Sequence, residues 1–212
     1  MSELESLSVE EGLKKHVNRH SIDRLVMLCD GVFAIAITLA ALEIHVPAAP
    51  NYAAIMSVMS VRLVAYLISF VVIAVFWTSN RDLFARLRRV DRPLTALVLA
   101  TLCVTALIPA SVRIAGPAEG DLGGAFQFYA GIMVVSGALN CSQWIYAGWR
   151  SGVMSDEVPR DYRIKRVVET ATLPLLFAFV FMFPTVAMLK SISIVGIVAI
   201  GMRRLILKRL VN

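Results

Sequence analysis

The stretch RLVMLCDGVFAIAITLAALEI, Arg24 to Ile44, reads as a bilayer-crossing helix with an acid, Asp30, near its start. A spanning helix needs about 20 mostly apolar residues, and here Asp30 is the only charge between Arg24 and Glu43. An ionisable side chain at membrane depth is costly, so Asp30 is expected to have either a partner or a task.

The rest of the chain extends this reading. Of its 212 residues 58% are hydrophobic and only 17% charged, with a mean hydropathy of +0.73. That is well above the roughly even apolar share of soluble domains. Residues 1–23 are too polar for a signal peptide and read as a solvated cytoplasmic tail, leaving 24–212 as a single transmembrane domain. Cys29, Cys103 and Cys141 all fall inside apolar runs and form no CxxC pair, which argues against a disulfide framework or a zinc site. His16 and His20 stand four apart, but no third or fourth metal ligand accompanies them.

Helices are expected near 24–46, 60–79, 93–114, 124–148, 166–187 and 190–207, separated by Pro/Gly-rich turns and by two charged loops. Lys and Arg sort by side. Eighteen lie in 1–24, in 81–92, in 150–166 and in 203–209, against three (Arg62, Arg113 and Lys190) in the alternate turns. The net charge of +6 therefore reports topology rather than nucleic-acid binding. Positive charge is retained in the cytoplasm, so both termini are expected inside with six crossings. The Asp-Gly pattern of the first helix occurs once, so a pathway is expected to need several copies of the chain rather than an internal repeat.

On a wheel advancing about 100° per residue, Gly31, Ile35, Thr38, Leu39 and Leu42 share one stripe, whereas Asp30 falls about 140° from Ile35. Asp30 is thus expected to face its own subunit, about 9 Å along the axis from Arg24. The second helix returns to the same side and ends in FWTSNRDLF, bringing Trp77, Asn80 and Arg81 to that depth as donors for Asp30, beside the Cys29 thiol. Asp30 is accordingly expected to be an anchor, with an interfacial ion pair to Arg24 as a further possibility.

Arg24, Asp30 and the following GVFAIAITL resemble the RxxxFSD signature that opens the first helix of the transmembrane-protein-175 family, potassium channels of endosomes and lysosomes with bacterial relatives. FWTSNRDLF resembles that family's Trp-x-x-His-x-x-Leu-Phe element. Three positions depart: Leu28 for Phe, Cys29 for Ser and Asn80 for His. Asn cannot be protonated, so the resemblance carries no pH-sensing role to position 80. What the resemblance implies is a homotetramer whose pore is lined by the first helix. Its constriction would lie at Ile35, Leu39 and Leu42, with Thr38 as the polar layer tied to potassium preference. Arg24, Cys29, Asp30, Trp77 and Asn80 would form the structural network. No TVGYG-like segment occurs, so a carbonyl-ring filter is not expected.

Plainer readings stand beside these. The apolar stripe could be packing, and the Thr38 hydroxyl could bond back to the Ala34 carbonyl. Trp144, Tyr146 and Trp149 fit an aromatic belt, Glu169 can pair with Arg163 or Arg166, and Glu43 and His45 could form an outer vestibule. Ser136-Gly137 lacks the His partner that a protease would need. The expectation is an all-α, six-helix protein of a bacterial inner membrane, passing potassium passively, with neither cofactor nor enzymatic activity. A proton-coupled transporter using Asp30 and a membrane scaffold without a conduit are the alternatives.

Overall fold

A computed structural model describes residues 2–42, 44, 51–114 and 122–182. Among these residues six helices follow one another: α1 (Ser2–Leu42), α2 (Tyr52–Phe84), α3 (Arg92–Thr105), α4 (Ile108–Ile114), α5 (Leu122–Trp149) and α6 (Arg160–Met182). No strand occurs among the described residues; Leu87 and Met154 form an isolated antiparallel bridge. Among the described residues three segments are long and apolar enough to cross a membrane, His16–Leu42, Arg62–Phe84 and Arg92–Ser111. Glu43, His45 and the helix expected at 190–207 lie outside the described residues.

Three departures from the sequence reading have local causes. The tail is helical, because residues 2–23 continue into α1 without a break. His16 and His20 are exposed on that helix, and no metal-ligating group of three forms among the described residues. The helix expected over 93–114 is split between α3 and α4. Pro109 has no N–H to bond the Thr105 carbonyl, and its ring crowds that carbonyl. The chain turns instead through the shorter bond from Leu107 N–H to the Val104 carbonyl. The helix expected at 166–187 begins at Arg160, six residues earlier than hydropathy places it. Its charged first turns are held by contacts to other elements rather than by an apolar face.

The elements pack as a bundle in which α1 lies against α2, α3 and α4, while α5 lies against α3 and α6. The α5–α6 interface is close enough to exclude one methyl group: a Cβ at Gly137 would stand 2.8 Å from the ring of Pro174. That contact accounts for the Ser-Gly step.

One end of the bundle is stapled. Asp91 caps α3 by accepting from Leu94 N–H at 3.0 Å, with Pro93 inside the first turn where its missing donor costs nothing. Arg88 N–H donates to the Val153 carbonyl at 2.8 Å and Ser155 N–H to the Arg86 carbonyl at 2.9 Å. Both charged loops, 85–91 and 150–159, are thereby fixed at the same end, as their shared positive charge predicts.

Candidate functional site

α1 has one buried face, Leu25, Cys29, Phe33, Ala36 and Ala40, spaced by three and four residues. The opposite face is open. Ile35 is 59% exposed, Leu39 44% and Leu42 70%, and Thr38 is exposed among them. Nothing stands within 4 Å of a Cβ built at Gly31. Thr38 lies about 160–180° from the centre of the buried face at ~100° per residue, so no other described part of the chain covers this stripe.

The Thr38 hydroxyl is 3.2 Å from the Ala34 carbonyl and 2.9 Å from that of Ile35. Donation back to the helix turns its proton inward and leaves an oxygen lone pair directed off the helix. The stripe therefore presents apolar groups interrupted by one hydroxyl acceptor.

On the flank, Trp77 Nε1 donates to Asp30 Oδ1 at 2.7 Å. The Arg81 guanidinium lies over the Trp77 ring, 5.7 Å from its centre. Of the donors that the depth argument brings to Asp30, Trp77 makes the bond. Asn80 is not part of it. Its Nδ2 donates to the Phe76 carbonyl at 3.0 Å and its buried Oδ1 has no partner, because one turn of helix aims it into the bundle. Arg24 is also apart, and among the described residues it is paired with neither Asp30 nor another carboxylate. Six residues are about 600° of rotation, which places Arg24 and Asp30 on different faces. Cys29 is buried beneath and, like Cys103 and Cys141, is a free thiol.

Two polar clusters lie behind α2, and of their contacts only the Arg166–Glu169 pair was read from the sequence. Ser79 Oγ donates to Asn140 Oδ1 at 2.8 Å and accepts from Trp144 Nε1 at 2.9 Å. Trp144 is 1% exposed, so of the three expected belt aromatics only Trp149, at 61%, faces outward. One turn below, Arg166 pairs with Asp82 and, at 2.8 Å, with Glu169. Its guanidinium also lies 5.2 Å from the Trp144 ring centre. Arg163 is turned elsewhere and donates to the Gly148 carbonyl at 2.9 Å. Asn140 inside an apolar run and Asp82 next to Arg81 were the available signals. Together these clusters tie α2, which carries the Asp30 anchor, to α5 and α6.

Comparison with known proteins bears on this arrangement. The family model of the endosomal/lysosomal potassium channel TMEM175 matches residues 24–109. A potassium channel of Streptomyces collinus is 39% identical over 89 residues, 41% of this chain and 43% of that protein. A potassium channel of a Chryseobacterium species is 31% identical over 86 residues, 41% of this chain and 44% of that one. The chain thus spans less than half the length of these two relatives. The zebrafish endosomal/lysosomal proton channel TMEM175 is 24% identical over 187 residues, 83% of this chain and 35% of its own. The fold is that of the crystal structure of a lysosomal potassium-selective channel TMEM175 homolog from Chamaesiphon minutus, with a TM-score of 0.68 at 23% identity, covering 86% of this chain and 96% of that one. Residues 24–109, which hold both the outward stripe of α1 and the Trp77–Asp30 bond, are thus the part of the chain that is similar to the endosomal/lysosomal potassium channel TMEM175 family.

Proposed function

We propose that the protein is a potassium-preferring cation channel in which four copies of the chain place the outward face of α1 around a common pore. The observation that carries this reading is the stripe itself: an apolar face broken by Thr38, on a membrane-capable helix, uncovered by any described part of its own chain. The names of the bacterial relatives, both potassium channels, point to the same ion. The channel domain is 24–212 with six crossings in a bacterial inner membrane, and both termini are cytoplasmic.

Permeation is passive. Ile35, Leu39 and Leu42 form a neck whose wetting decides whether ions pass. Four Thr38 oxygens, with their protons turned back to the helix, each offer a lone pair to a cation or to its retained water. Potassium holds its hydration shell less tightly than sodium and loses less on entering such a neck. Asp30 serves as the anchor of α1 to α2, its carboxylate occupied by Trp77.

The test is a reversal potential under bi-ionic potassium and sodium in a planar bilayer, paired with proton flux in potassium-loaded vesicles. The expected result is a potassium-directed potential without stoichiometric proton movement. Coupled proton flux would instead support a transporter working through Asp30, and no flux of either ion would support a scaffold.

A further inference from the structure

We infer that the stapled end of the bundle holds a binding site for an anionic phospholipid, its headgroup phosphate between Arg89 and Arg150 and an acyl chain along the outer face of α5. Arg89 Nη2, from the first loop, stands 3.5 Å from the carbonyl of Ser151, the residue that follows Arg150, so the two arginines share one corner of the fold. That corner is preorganised. The 85–91 loop is fixed to the 150–159 loop through the bonds to the Val153 carbonyl and from Ser155, and Arg163 clamps the second loop by donating to the carbonyls of Gly148 and Val158. Gly152, at φ +74°, makes the turn against which the Arg89 guanidinium rests.

Among the described residues neither guanidinium is in an ion pair with a carboxylate. Asp91 has both oxygens engaged, one by the α3 N-terminus and one by Tyr146 Oη at 2.7 Å. Asp156 is taken by Arg88 at 3.4 Å. The remaining complement is therefore an external anion. Its chemistry follows from the adjoining surface, where Val135, Ile145 and Trp149 lie exposed along α5 and run into Arg150. An apolar strip capped by an interfacial Trp and two guanidinium groups suits a lipid phosphate with its acyl chain. The inference needs both loops at one membrane boundary and does not depend on what the pore conducts.

Trp149 supplies the readout. The full-length protein is reconstituted in phosphatidylcholine vesicles containing either brominated phosphatidylglycerol or brominated phosphatidylcholine at equal mole fraction, and quenching of tryptophan fluorescence gives the relative association. The parent is expected to prefer phosphatidylglycerol, and Arg89→Gln/Arg150→Gln to lose that preference by about fivefold per guanidinium removed. Should the double variant fail to fold, Arg150→Gln alone, an exposed side chain after the end of α5, is expected to lose about fivefold. Equal quenching of the parent by both lipids overturns the site, as does an undiminished preference in the folded variants.

Discussion

Replacing Gly137 by Ala is expected to loosen the bundle, by an amount that a second glycine on the same helix isolates. A Cβ at Gly137 would stand 2.8 Å from Pro174 Cδ, 3.0 Å from Cβ and 3.1 Å from Cγ. Ordinary contact begins near 3.4 Å, so three ring atoms are too close at once. The ring is closed and cannot rotate away, and relief requires α5 and α6 to separate. Overpacking of this kind costs about 1–3 kcal/mol. Gly to Ala in a helix also returns about 0.5–1 kcal/mol of backbone entropy and propensity, which offsets part of the loss. Gly131→Ala receives that return without the clash, because its Cβ would meet only the Phe181 ring at 3.6 Å. The difference between the two variants is therefore about 1–3 kcal/mol, or roughly 2–4 °C in melting temperature per kcal/mol for a chain of this size. Thermal unfolding of both in the same detergent measures it. A Gly137→Ala protein as stable as Gly131→Ala would show that the helices are not in the contact described.

Trp77→Phe and Asp30→Asn should each lower stability by about 1.5–3 kcal/mol, because each removes or weakens a hydrogen bond to a charged acceptor. In a double-mutant cycle by thermal unfolding the two losses should not add, and additivity would mean the groups do not interact. Ile35→Asn should raise single-channel conductance by keeping the neck wet, and unchanged current would take Ile35 out of the pore. Thr38→Val keeps the branched shape without the oxygen and should shift the bi-ionic reversal potential towards zero while the protein still assembles; undiminished potassium preference would place selectivity elsewhere.

The first helix was readable because its information is periodic. The buried set of Leu25, Cys29, Phe33, Ala36 and Ala40 and the open set of Ile35, Thr38, Leu39 and Leu42 follow from a 3.6-residue repeat alone. The Asp30–Trp77 bond was legible from depth, since two antiparallel helices bring fixed positions to one level. Rotation about each axis decides the remaining contacts. It excludes Arg24 from Asp30 and turns Asn80 inward. Hydropathy also reads through Pro109, whose effect is a missing donor rather than a change in polarity. It stops short of Arg160 because the charges there are satisfied by Asp82 and by loop carbonyls remote in sequence. Trp144 looked interfacial for the same reason: the partner of its indole, Ser79, lies 65 residues away.

At 41 residues α1 is about 60 Å long, twice the ~30 Å hydrocarbon thickness it has to cross. A rod of that length is a lever. Residues 2–23 extend about 33 Å beyond Arg24, so a 5° tilt about that point displaces the far end by roughly 3 Å. The same tilt moves Thr38, about 21 Å along the opposite arm, by nearly 2 Å. Whatever grips the polar arm acts on the face that carries Ile35 and Thr38 with little mechanical loss, and shortening that arm removes the purchase while leaving the face intact.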